Sequence, residues 1–173
     1  MATTLRFNLQ GRGWASLEVQ NGSTKTVIES ISYLTNALDD LVRMGLDVAT
    51  DKAFAFARFD HEPAETILIA ETGWWEGNDW HQGGRLSVVR EVPSEFEPNW
   101  NWRQTANAES FFDVQSRDDL ARLFLDLALR VREEHGEEGY SKLWCGQLGF
   151  PRRSVAALEI ALSTPPSEVK PYE

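Results

Sequence analysis

The spacing of apolar residues shifts along this chain from mostly strand-like to helix-like, and that shift limits the folds open to it. Up to about residue 115 the apolar side chains recur mostly every second residue, as in a strand. Beyond that point they recur every third or fourth, as in a helix. Leu5, Phe7 and Leu9 alternate with Arg6, Asn8 and Gln10, and Gly11-Arg12-Gly13 interrupts the run. Leu17 and Val19 then alternate with Glu18 and Gln20 across residues 14–20. Asn21-Gly22 reads as a two-residue hairpin turn, because both residue types tolerate positive φ, and residues 24–29 form the return strand.

One helix interrupts the strands. Ser30 or Ser32 can cap it, Ile31, Leu34, Leu38, Leu41 and Val42 share one face, and Asn36, Asp39, Asp40 and Arg43 share the other. It is expected to end near Val48, with Gly45 weakening its last turn. Residues 53–59 and 65–71 read as a strand pair about the turn Asp60-His61-Glu62-Pro63-Ala64, and residues 85–92 and 109–114 as two further strands. Residues 72–84 and 93–108, rich in glycine, asparagine and tryptophan, read as long loops that their tryptophans keep ordered.

The last third is helical. Ser116 is the expected N-cap, Asp118 and Asp119 suit the first turn, and Leu120, Leu123, Phe124, Leu127, Ala128 and Val131 form the apolar stripe. Gly136 stops this helix, a short helix spans 138–145, and Pro151 opens a last one over 151–162. The expected architecture is one α+β domain over residues 1–163. An antiparallel sheet of six or seven strands packs against one helix of the N-terminal half and the C-terminal helices, and residues 164–173 form an extended or frayed tail.

Composition removes several classes of function. The net charge of −10 opposes non-specific binding to nucleic acid or to an anionic membrane, since both select basic surfaces. The single cysteine, Cys145, excludes a disulfide framework within the chain and any multi-cysteine metal site. The first residues lack the basic head and apolar stretch of a secretory signal, so a reducing cytoplasm is the expected location.

Catalytic patterns are sparse. His61, His81 and His135 do not stand at metal-ligand spacing, and no nucleophile elbow or phosphate-binding glycine loop occurs. His61-Glu62 lies in a turn without a third group, and His135 suits a helix end. His81, between Trp80 and Gln82, is the one candidate general base, for a weak hydrolase. Cys145 reads as a buried thiol rather than a nucleophile. Asp39-Asp40, Asp118-Asp119 and Glu137-Glu138 are adjacent on helices, where neighbours diverge by about 100°, so they read as solvated faces. No cofactor, metal or catalytic residue is expected.

Residues 51–100 hold ten acidic side chains against four basic ones, and four of the seven tryptophans, with Trp102 just beyond. Aromatic anchors set among acids suit a surface for a basic protein. The residues expected to form it are Trp74, Trp75, Glu76, Asp79, Trp80, Glu95, Glu97, Trp100 and Trp102. The alternatives are that these acids are a solvated face and the tryptophans core, or that the indoles stack on a sugar or another flat small molecule.

Three stretches carry a resemblance. They are Ser32-Tyr33-Leu34-Thr35-Asn36-Ala37-Leu38-Asp39-Asp40-Leu41, then Phe59-Asp60-His61-Glu62-Pro63-Ala64-Glu65, and then Gly136-Glu137-Glu138-Gly139-Tyr140 with Trp144 and Phe150-Pro151. Their order over residues 30–162 resembles a loose group of small bacterial proteins, some of them immunity proteins of polymorphic toxins. These motifs are caps, turns and packing aromatics, so the resemblance transfers no site residue. It implies a non-catalytic protein that binds and neutralises a cognate toxin, and the net charge sets aside a membrane or nucleic-acid partner. The long tryptophan-bearing stretches are this chain's departure from the pattern.

Overall fold

The computed structural model describes residues 2–61, 64–93, 95–99, 102–104, 106, 108–146 and 148–164, with the side chains of His61, Ala64 and Gln104 left aside. Of the turn expected over Asp60–Ala64, Glu62 and Pro63 lie outside the described residues, as does the expected tail beyond Thr164, while Asp60 pairs with Glu65 and His61 with Ala64 as strand residues. Seven strands and three helices follow one another as β1 (Thr3–Gly11), β2 (Trp14–Asn21), β3 (Thr24–Ser32), α1 (Ala37–Ala49), β4 (Phe54–His61), β5 (Ala64–Glu76), β6 (Asp79–Val92), β7 (Ser110–Val114), α2 (Arg117–Leu143) and α3 (Arg152–Ser163). Among the described residues no helix is long and apolar enough to cross a membrane.

The class is α+β, but the strands form two antiparallel sheets where one was expected: β1-β2-β3, and β4-β5-β6-β7. Alternation assigns strands without saying which edges hydrogen-bond. Here α1 separates β3 from β4 in the chain, and side chains connect the two sheets. Thr3 Oγ1 donates to the Asp113 carbonyl at 2.8 Å, Thr26 and Ser110 hydroxyls meet at 2.6 Å, and Arg90 donates to the Val27 carbonyl. The β1–β2 turn at Arg12 and Gly13 has positive φ at both central positions, as a tight hairpin requires. The next turn is centred one residue later than expected, on Gly22-Ser23, because Asn21 still pairs with Thr24.

α1 begins later than the stripe predicts. Ile31 belongs to β3, pairing with Ala15, and its position relative to Leu34 and Leu38 imitates a helical period. Ser32 Oγ accepts from the Leu34 amide at 3.3 Å and so holds a turn rather than capping the helix, and Leu34 is exposed. Asn36 is the N-cap without a side-chain bond. At α2 the reading holds: Ser116 Oγ accepts from the Asp119 amide at 3.1 Å, and Leu120, Phe124, Leu127, Ala128 and Val131 are buried. Gly136 breaks α2 at φ 65°, ψ 166°, a conformation that essentially only glycine adopts. Pro151 is the N-cap of α3, one residue ahead of the first helical position. Cys145 lies just past the end of α2 and is exposed, not buried.

The main core runs from the inner faces of both sheets to the three helices. Phe7, Leu17, Ile28, Leu38, Leu41, Phe59, Leu68, Leu86, Phe112 and Phe124 are all within it. Two of the stretches that carry the resemblance meet there. Tyr140 stacks on Trp144 at 6.2 Å and meets Phe150 edge-on at 5.9 Å, while Asp39, buried at the start of α1, bonds Ser154 and pairs with Arg43 at 2.8 Å. The Tyr140 hydroxyl is buried without a hydrogen-bond partner among the described residues, and burial, then Asp39 and Asp40, pushes its pKa up. Burial, then Asp39, likewise raises the Asp40 carboxyl, with Arg43 opposing.

Two outcomes are expected of this core. An ideal Cβ on Gly45 would lie 2.7 Å from Phe124 Cβ and 2.9 Å from Leu158 Cδ2. Gly45→Ala should therefore lower stability by about 1–2 kcal/mol in denaturant unfolding, the clash outweighing the gain in helix propensity. Asp40 has a folded pKa above its unfolded 3.8, so the folded chain holds the proton longer and stability falls as pH rises past 3.8. Asp40→Asn should consequently raise Tm at neutral pH, and that advantage should vanish when the melt is repeated below pH 3.8.

Candidate functional site

β5 and β6 are longer than the strands beside them. β4 pairs with β5 only as far as Glu71, and β7 pairs with β6 only as far as Gly84. Beyond those points Gly73, Trp74, Trp75 and Glu76 pair solely with Gln82, His81, Trp80 and Asp79. A two-stranded ribbon thus projects about 13 Å past the sheet, at 3.3 Å per residue. This replaces the loop expected over residues 72–84. The glycines there serve turns and close packing: Gly77, at φ 63°, sits at the first central position of the turn. A Cβ on Gly73 would run into the Trp80 indole, which lies across it.

Alternation gives the ribbon two different faces. Trp75 and Trp80 sit opposite each other on one face, ring centroids 5.4 Å apart and tilted by 60°, and they are 62% and 54% exposed. Trp74, His81, Glu76 and Asp79 share the other. Glu76 and Asp79 are a directly opposed pair beside the turn, where like charges repel. Glu76 has Arg85 at 3.8 Å and His81 at 3.7 Å, whereas Asp79 has no ion pair or hydrogen bond among the described residues. His81, the candidate general base, stacks on Trp74 at 5.5 Å and an interplanar angle of 9°.

The base of the ribbon is held by a ladder that alternates aromatic rings with arginines across the outer face of the second sheet. The Arg85 guanidinium lies 3.9 Å from the Trp74 centroid and 5.3 Å from that of Phe111, and its Nε donates to Asp113 at 2.7 Å. Arg103 follows, 5.6 Å from Phe111 and 4.7 Å from Trp102. Arg103 also donates from both terminal nitrogens to Glu71, at 2.8 and 2.5 Å, and the Trp102 indole N–H reaches the same carboxylate at 3.3 Å. Glu71 and Trp102 are both buried, Trp102 at 0% exposure among Ile67, Ile69, Val89 and Val92. The described part of residues 93–108 is irregular apart from one 3₁₀ turn at Trp102–Gln104, and it straps this apolar face.

The nine residues expected to form one surface therefore divide. Trp75, Glu76, Asp79 and Trp80 make the ribbon tip. Trp74 is buried at its base and Trp102 under the strap. Glu95 and Glu97 are exposed on either side of Phe96, whose carbonyl accepts from Arg58 near the opposite end of β5, and Trp100 lies outside the described residues. Arg85, Arg103, Glu71 and Phe111 were not foreseen. Alternation assigns Arg85 and Glu71 to the same sheet face as Ile69 and Val89, but nothing in the sequence pairs Glu71 with Arg103.

Buried and exposed aromatic clusters should respond differently to substitution. Arg103→Met leaves the Glu71 carboxylate buried without its partner and should cost about 3 kcal/mol or more in denaturant unfolding. Trp75→Ala at the exposed tip should change stability by no more than about 0.5 kcal/mol.

No protein-family model matches this chain, and neither curated proteins nor solved structures give a significant match.

Proposed function

We propose that the ribbon tip is a protein-docking arm, and that the chain is an immunity protein that neutralises a cognate toxin with a basic face. The observation that carries this reading is the exposed Trp75–Trp80 pair on a projecting ribbon, with Glu76 and Asp79 opposed behind it. Two large indoles held in water gain most by entering a partner's pocket, and tryptophan is among the residues that dominate binding energy. Arg85 already stands 3.8 Å from Glu76, whereas Asp79 has no ion pair or hydrogen bond among the described residues, so a partner cation beside Asp79 gains a counter-charge the free protein does not supply. That favours a basic partner and speeds encounter through the net charge of −10. Binding alone suffices for this role.

The test begins with the reading frames beside the gene, where the toxin is expected as a long frame ending in a short basic domain. Co-expression of this chain should restore growth to cells making that domain. The double variant Trp75→Ala/Trp80→Ala, folded by circular dichroism, should fail to do so. Glu76→Lys/Asp79→Lys should slow association about tenfold or more at low salt, with a smaller effect at high salt. Full rescue by the folded tryptophan variant, or an unchanged association rate at low salt, overturns the assignment of the tip.

A further inference from the structure

A second group of exposed aromatic side chains lies far from the arm. Trp14 begins β2, directly opposite Ser32 at the end of β3, and Tyr33 and Leu34 follow in the turn toward α1; all three large side chains are exposed. Together with Ser30, Ser32 and Asp60 of β4 they line a concavity of about 520 Å³, a size that suits a small ligand or a single side chain. Asp60 pairs with Glu65 at the start of β5, so the pocket and the ribbon tip are separated by roughly 35 Å along that strand at 3.3 Å per residue.

Three features distinguish this pocket from a chance surface dip. Asp60 is its one charged lining residue among the described residues. It is partly buried, and it has no hydrogen bond or ion pair among the described residues. A carboxylate partly withdrawn from water without a partner is unusual, and among the described residues nothing cationic lines the pocket to answer it. The second feature is backbone strain. Ser30 has φ 57° at the register shift opposite Ala15 and Leu17, and bulges of this kind re-aim side chains beside sites. The third is a fixed wall. A Cβ on Gly13 would lie 2.7 Å from the Tyr33 ring, so Tyr33 packs directly on the glycine backbone, and Ser32 Oγ pins the Leu34 amide at 3.3 Å.

We propose that this pocket binds an organic cation, an ammonium or guanidinium group on an apolar stem. Asp60 supplies the counter-charge, Trp14 and Tyr33 supply π faces that attract a cation, Ser30 and Ser32 offer hydroxyl acceptors, and Leu34 covers the stem. A simple metal cation would find one carboxylate, two serine hydroxyls and the Gln10 amide beside an apolar wall, fewer oxygens than a hard cation takes. The same lining discriminates against anions. This inference does not depend on the function of the arm.

The test is a nuclear magnetic resonance titration of the whole chain, following the Trp14 indole N–H identified by its loss in Trp14→Phe. The probes are n-butylammonium and n-butylguanidinium, with uncharged n-butanol as control. Both cations should shift the signal saturably and butanol should not. Asp60→Asn should weaken cation binding about tenfold or more, the loss of one charge-assisted contact. Raising the salt concentration should weaken binding to the unmodified chain, a readout that needs no variant. A short peptide with one central arginine separates the sources of the cation. Equal affinity assigns the pocket to a protein side chain and exclusion assigns it to a free small molecule, and either supports the site. Equal shifts from butanol, unchanged affinity in folded Asp60→Asn, or no saturable shift with either cation overturns it.

Discussion

A single buried carboxylate governs how the outer half of this protein is arranged. Glu71 sits on β5, almost wholly out of water, and a charge there costs several kcal/mol unless it is paired and hydrogen-bonded. Its partners come from a segment some thirty residues later: both terminal nitrogens of Arg103 and the indole N–H of Trp102. Satisfying Glu71 thereby fixes the strap and drives Trp102 into the apolar face formed by Ile67, Ile69, Val89 and Val92. The guanidinium of Arg103 also completes the series of rings and arginines that ends at Trp74. The arm leaves the sheet within two residues of Glu71, so its footing is as firm as that pair.

Local features of the fold were legible, and relations between distant segments were not. Alternation in Leu5–Phe7–Leu9 and Leu17–Val19, the Ser116 cap and the stripe from Leu120 to Val131 all act over a few residues, and each is found. Gly136 was legible for the same reason, since a glycine in that conformation ends a helix wherever it falls. The division into two sheets depends on which strand edges meet, and the alternation of β3 and β4 carries no record of that. The ribbon was missed because Gly73, Gly77 and Gly83 suggest a loop, whereas Gly73 makes room for an indole and Gly77 turns the hairpin.

The candidate surface shows the same division more sharply. Tryptophans close in sequence were expected to act together, yet alternation within one ribbon sends Trp74 to the base and Trp75 to the solvent face. Trp102 belongs with the core because Glu71 holds it there. The pocket at Trp14, Tyr33 and Asp60 draws on three separate elements, and no spacing in the chain relates them. In both places the chemistry is set by which strands lie side by side.

The geometry of Trp75 and Trp80 has an optical consequence. Two indoles 5.4 Å apart and inclined at 60° share their excited states, and a chiral pair of this kind contributes a split band to the circular dichroism spectrum. That band arises from the last residue pairs of the ribbon, which no neighbouring strand supports. Its melting therefore reports the fraying of those few pairs while the sheets beneath remain folded. The protein carries an intrinsic gauge of how firmly its arm is held in shape.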